Sequence, residues 1–417
     1  MTQREQEAAG DQQAPRERVA VVLSGAGARG AFQAGALSVL IPALQQQGLV
    51  PTIWLGTSAG AINASLWGAA LHRGAKAAAE TVEGLWRSMS DDDVYRPLLP
   101  FTALRVATQY ALGAALMRGP GISSAVNTSP LQRTAAEELP VHQLAANVDA
   151  GVIDAVGVVA TRVPADSENT VAGAASGRSV LFLDERVRSQ YEGDPQRALD
   201  VVRGPVTDRH VVASSAIPMA FPAIDIDTPP QAVAWYVDGG VRLNAPLQPA
   251  LGLGATRILL VSATSTDVAP APAPVPLGPR PDVADAGAQV LHAALADRTT
   301  QDLLDLQRIN NVVAQSPTEL HSMSGRPYRT VQVMSVSPAP GQLGEIAAEV
   351  WRDRMRPLGW LRETDNWLLG RGLRGLGDAV GARELLSYLL FDEEYFDRGI
   401  ELGRQAGAEA LEKGWVV

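Results

Sequence analysis

The chain has 417 residues, 46% of them hydrophobic and 19% charged. That is enough apolar material for a sizeable core, and it excludes long disorder over most of the length. A net charge of −10 argues against a nucleic-acid binder working through a basic face, and the absence of cysteine removes disulfides, thiolate nucleophiles and Cys-ligated metal centres.

In chain order, residues 1–17 read as a polar, disordered tail without the apolar run of a signal peptide. No window approaches 18 consecutive apolar residues, so no spanning helix is expected, and the chain reads as cytoplasmic or peripheral to a membrane. The run Val19–Leu23 has the length and continuity of a buried parallel strand. Phe32, Leu37, Leu40, Ile41 and Leu44 then recur at helical spacing until Gly48 and Pro51 stop the helix. Thr52–Leu55 predicts a second strand, followed by an amphipathic helix with Ile62, Leu66 and Ala70 on one face and Gly74 at its end. Strand–helix–strand–helix predicts a parallel α/β sheet covered on both sides.

Residues 91–138 look mostly helical, broken by Pro and Gly. Further strands are expected at Ala155–Ala160, Ser179–Leu183, Ala232–Val237, Arg257–Ser262 and Val331–Val336, and further helices at 286–310 and 385–413. The alternation of Ile224 and Ile226 with Asp225 and Asp227 suits a strand with one wet face. The resulting division is a domain over 18–265, a Pro-rich connector over 266–285 and a mostly helical region over 286–417 that packs on the domain.

Three sequence features carry chemistry. Gly25-Ala26-Gly27-Ala28-Arg29-Gly30, between a strand and a helix, lets backbone N–H groups face an anion. It fits G-x-G-x-x-G, but the acid that should hold a ribose about 20 residues on is missing from Gln45–Val50, which argues against a dinucleotide site. Gly56-Thr57-Ser58-Ala59-Gly60 places a serine at a tight strand-to-helix turn, where flanking glycines remove side chains that would clash. As a bare motif it is weak, and an ordinary turn with a capping serine is the competing reading. Asp238-Gly239-Gly240 puts a carboxylate at a strand's C-terminal end, where α/β sheets place ligands, though Asp-Gly alone is also a turn signal.

Taken together and in order, these motifs resemble those of the patatin-like phospholipase family. Leu23–Ala31 is similar to the family's oxyanion loop, and Ala213–Pro218 to the block ahead of its aspartate. Tyr236–Gly240, followed by Asn244–Leu247, completes a resemblance spanning about residues 18–265. One departure is Ala26, which stands where the family usually has the loop's middle glycine.

The resemblance implies a three-layer α/β/α fold with a mostly parallel sheet, here followed by a C-terminal helical segment. It also implies a lipid acyl hydrolase with Ser58 as nucleophile and Asp238 as general base, needing no cofactor or metal. Gly25, Ala26 and Gly27 are the implied oxyanion donors, and Arg29 either orients the loop or meets a lipid phosphate. The implied partner is a lipid substrate reached by peripheral membrane contact, with no nucleic acid.

A Ser-His-Asp triad would draw on His292 or His321, the histidines that follow Asp238, and neither has a distinguishing context. A catalytically idle lipid-binding protein on the same fold is the other alternative. Asp91–Asp93 read as a solvated loop and helix cap. Trp351–Leu376, with three Trp, six Arg and three acids, either packs the last helices or meets a membrane interface.

Overall fold

In a computed structural model of the protein, the described residues are 17–94, 96–97, 126–127, 129–164, 177–218, 221–266, 298–321, 327–354 and 380–417. Outside them fall residues 1–16 of the expected tail, most of the 91–138 stretch, nearly all of the Pro-rich connector, His292 and residues 355–376 of the Trp/Arg-rich segment.

The elements that build the site are strands β1 (Val19–Leu23), β2 (Pro51–Thr57), β3 (Ala155–Arg162), β4 (Arg178–Glu185), β5 (Leu199–Arg203), β6 (Ile224–Ile226), β7 (Ala234–Asp238), β8 (Arg257–Val261) and β9 (Gln332–Val336). They form one nine-stranded sheet among the described residues, in the order β9-β8-β1-β2-β3-β4-β5, with β7 joining β3 and β6 joining β7. β9, β8, β1, β2 and β3 run parallel to one another. β4 reverses against β3, and β5 follows β4 in parallel.

Because β1 is apolar at every position, it feeds both faces of the sheet. Val21 and Leu23 enter one core with Trp54 and Val158, while Ala20 and Val22 enter the other with Leu55 and Val159. Helices α1 (Gly30–Gln46), α2 (Ala59–Ala70) and α3 (Ala75–Ser88) cover the first face. The helices Leu247–Gly252 and Arg298–Gln315 cover the second through Leu247, Ala250, Leu303 and Leu306. This is a mostly parallel sheet with helices on both faces.

Several local readings shift. The helix after Ser58 is not amphipathic: every residue from Ala59 to Ala70 except Ile62 is buried, because α1, α3, the helix Val141–Asp149 and the sheet surround it. It ends in a 3-10 turn, Leu71–Arg73, with Gly74 at φ 88°. The stretch 385–413 is two helices, α4 (Val380–Leu389) and α5 (Glu393–Lys413), the second capped by Asp392 accepting the Tyr395 N–H at 2.9 Å. Pro230–Ala232 is a 3-10 turn that delays the start of β7 to Ala234. Strand β5 had no sequence signal strong enough to single it out.

The C-terminal part is built into the same body. β9 extends the sheet, and Val333 and Val416 exchange backbone hydrogen bonds of 2.7 and 2.9 Å. Helix α5 lies directly on α1, so closely that a Cβ at Gly35 would sit 2.0 Å from the Ile400 carbonyl oxygen, and one at Gly403 2.1 Å from that of Phe32. No helix among the described residues is long and apolar enough to cross a membrane.

Candidate active site

Register alone brings Ser58 and Asp238 together. Thr57, the last residue of β2, pairs with Val159 of β3; the next residue of β3, Ala160, pairs with Asp238, the last of β7. β2 runs parallel to β3 and β7 antiparallel, so the two strands meet end to end along one edge of β3. Two loops leave the sheet at that junction, one carrying the serine and the other the carboxylate. The Thr57 hydroxyl donates to the Leu243 carbonyl at 3.0 Å and ties the second loop to the first.

Ser58 sits at φ 56°, ψ −129°, a backbone conformation that non-glycine residues rarely occupy and that costs on the order of 1–3 kcal/mol. The turn closes so tightly that a Cβ at Gly56 would lie 2.2 Å from the Gly60 carbonyl oxygen, and one at Gly60 2.5 Å from that of Ser24. The glycine spacing read in the sequence therefore has a steric cause. Ser58 and Asp238 are only 4% and 5% exposed. Burial pushes the Asp238 carboxyl up to about 6, against the opposing pull of the nearby Ser58 side chain and of the Gly240 N–H, which donates to it. The Gly240 bond measures 2.6 Å.

The Gly-rich loop lies beside this pair and requires one correction. The Gly25 N–H is directed at Asn244, reaching its carbonyl oxygen at 3.0 Å and its side-chain Oδ1 at 3.1 Å, so it does not face an incoming oxyanion. The N–H groups of Ala26 and Gly27, which precede the 3-10 turn Gly27–Arg29 or begin it, find no acceptor among the described residues. Gly27 has φ +54°, and a Cβ there would sit 2.5 Å from the Tyr388 carbonyl oxygen. Ala26 has φ −141°, which an alanine accepts, and its methyl is buried in the core rather than lining the site.

Arg29 requires the second correction. It is 3% exposed, and its donors go to Ser387 Oγ (2.8 Å from Nε), the carbonyls of Ala263 (3.3 Å) and Glu384 (3.1 Å), and the Glu384 carboxylate. The Tyr388 ring lies 3.9 Å from the guanidinium carbon. A lipid phosphate would have to displace this whole set to reach the guanidinium.

Next to Ser58 a small apolar cavity of about 40 Å³ runs between Gly27, Ile62, Trp86, Phe221 and Phe391. A second, of about 30 Å³, adjoins it through shared walls at Ile62, Met89, Leu131 and Thr134 and continues past Ala135 and Leu139. Among the described residues, no histidine lines either cavity. His210 is buried and held near 4 by desolvation; its Nδ1 accepts the Thr207 N–H at 3.1 Å while its ring stacks on Phe182. His321 is exposed, 4.0 Å from Glu319. Asp93 caps its own turn through Ser90, accepting from the hydroxyl at 2.7 Å.

A family model described as patatin-like phospholipase matches residues 21–251, more than half of the chain. The chain belongs to the patatin-like phospholipase family. That family consists of lipid acyl hydrolases, and the strand-end pair, the glycine turn and the loop all fall within the matched residues. Among solved structures, VipD from Legionella pneumophila is similar at 12% identity and a TM-score of 0.33, over 96% of this chain and 68% of that one. No curated protein matches the sequence.

Sequence reasoning did not assign roles to Ser214, Asn244 or the Tyr388–Phe391 wall. Ser214 and Asn244 stood inside motifs already singled out. The wall lies about 330 residues downstream of the serine, and only the fold brings it back.

Proposed function

We propose that this patatin-like domain is a phospholipase A or lysophospholipase that works through a Ser58–Asp238 dyad and an acyl-enzyme. The observation that carries the reading is the meeting of β2 and β7 on one edge of β3. That meeting leaves a strained, buried serine beside a carboxylate raised to about 6, at the mouth of an apolar cavity.

Ser58 Oγ attacks the acyl carbonyl carbon as its proton passes to Asp238, and the carbonyl electrons move onto oxygen. A carboxylate of ordinary pKa is a weak base for a hydroxyl; one near 6 is better matched while still mostly ionised at pH 7. The N–H groups of Ala26 and Gly27 receive the oxyanion, a donor of this kind typically being worth about 2.7–4 kcal/mol. Collapse expels the alcohol, which takes the proton from Asp238, and leaves the acyl group on Ser58. Water then attacks, gives its proton to Asp238, and releases the fatty acid as that proton returns to Ser58 Oγ. The net reaction consumes one water per ester and needs no cofactor.

The test is a panel of phospholipids, lysophospholipids and acylglycerols assayed with wild type beside Ser58→Ala. Hydrolysis by wild type that is lost in a folded Ser58→Ala supports the reading. Lipid binding without hydrolysis of any member supports the catalytically idle alternative.

A further inference from the structure

The oxyanion loop does not hold itself. Its 3-10 turn has few internal bonds, namely the Arg29 N–H to the Ala26 carbonyl at 3.1 Å and the Gly30 N–H to that of Gly27. Gly25 and Gly27 leave its backbone free to take other conformations. Asn244 holds its start at Gly25, but the contacts to its far end come from outside the residues that match the family: helix α4 supplies Ser387, Glu384 and Tyr388 to Arg29, and the Tyr388 carbonyl oxygen abuts Gly27. Ser387 is itself fixed, its hydroxyl donating to the Glu384 carbonyl at 2.6 Å and its carbonyl accepting the Tyr395 hydroxyl at 3.1 Å. Tyr388, Leu389 and Phe391 go on to form one wall of the cavity beside Ser58.

We propose that Arg29 and Ser387 are positioning residues, a latch by which helix α4 holds the Ala26 and Gly27 N–H groups aimed at the oxyanion. The proposal rests on the dyad reading above. Neither residue touches the reacting atoms; both act through the loop. Two buried anchors converge on one turn: a guanidinium with four named acceptors and a ring face, and a carbonyl that only glycine at position 27 can approach. Loosening the latch costs transition-state stabilisation and leaves ground-state lipid binding largely intact, because the loop's N–H groups are needed once charge develops on oxygen.

The experiment measures kcat and KM on a soluble short-chain ester for wild type, Arg29→Lys, Ser387→Ala and Glu384→Gln. Each is normalised to active sites titrated with a fluorophosphonate, and thermal unfolding is followed in parallel. The expected result is a fall in kcat per titrated site of about tenfold for Ser387→Ala and more for Arg29→Lys, with KM little changed. The Arg29→Lys/Ser387→Ala double variant should be no worse than Arg29→Lys alone, since both break the same latch. Glu384→Gln, at a partly exposed position, is the variant least prone to misfolding and should show a smaller kcat loss in the same direction. Unchanged kcat per titrated site in Glu384→Gln and Ser387→Ala, with wild type active, overturns the latch and leaves the dyad standing. Wild type that neither labels nor hydrolyses any ester overturns the dyad reading itself, and the latch with it.

Discussion

The Ser214 hydroxyl accepts the Ser58 N–H at 2.8 Å and donates to the Val159 carbonyl at 2.5 Å. Two residues on, the Ala216 carbonyl accepts the Asp238 N–H at 2.8 Å. One short segment at the end of helix Asp208–Ser214 therefore braces the backbone of both members of the pair against β3. Ser214→Ala is expected to lower kcat about tenfold and to cost about 1–3 kcal/mol of stability by orphaning the Ser58 N–H. Steady-state kinetics and urea unfolding check this; an unchanged kcat would mean the turn holds its shape without Ser214.

Strain at Ser58 can be measured without activity. Ser58→Ala and Ser58→Gly both delete the hydroxyl, but only glycine takes φ 56° without penalty. Ser58→Gly is expected to be about 1 kcal/mol more stable than Ser58→Ala by chemical unfolding. Equal stabilities would mean the turn carries no strain.

The raised Asp238 carboxyl fixes the acid limb of the rate. kcat/KM should rise through a single ionisation near pH 6, where an ordinary carboxylate would give a limb near 4. A limb near 4 would show that the carboxylate is better solvated than its burial implies.

Stability against pH separates Asp238 from His210, because their signs are opposite. Asp238 is raised in the folded protein, so its stabilising contribution is full below about pH 4 and is lost as pH rises through about 6. His210 is lowered by desolvation, so its contribution is present above about 6.5 and is lost as pH falls toward about 4. Between pH 4 and 6 the two oppose each other. Relative to wild type, Asp238→Asn should therefore become more acid-labile, and His210→Gln less so, each by a few kcal/mol at most. Urea unfolding from pH 4 to 8 reads both, and parallel curves for all three proteins would contradict both assignments.

On the proposed function, the far part of an acyl chain would run along the second cavity past Ala135 and Leu139, which at about 30 Å³ has to widen to take it. Ala135→Phe should lower kcat/KM on long-chain esters about tenfold and leave short-chain esters near wild type. Equal loss on both would place the chain elsewhere.

Much of this architecture was legible because local signals agreed. The apolar run of β1, the strand ahead of Gly56 and the glycine turn each had a period or spacing with one physical cause. The Asp238 strand was legible for the same reason. What escaped depended on tertiary contact. The short strand β5 alternates too weakly to stand out, and α2 reads as two-faced until the neighbouring helices and the sheet bury its outer side. A buried arginine looks like a ligand for phosphate until Ser387 and Glu384 arrive from across the chain. The Gly25 N–H looked available because Asn244, 219 residues on, supplies both its acceptors.

The most direct test of the central claim is intact-mass and peptide-mapping analysis of protein quenched in acid during turnover of a slowly hydrolysed ester. The account predicts one acyl group per chain, on the peptide that contains Ser58. The adduct should be absent from Ser58→Ala and form far more slowly in Asp238→Asn. Turnover with no adduct, an adduct on another residue, or undiminished acylation of Asp238→Asn would contradict it.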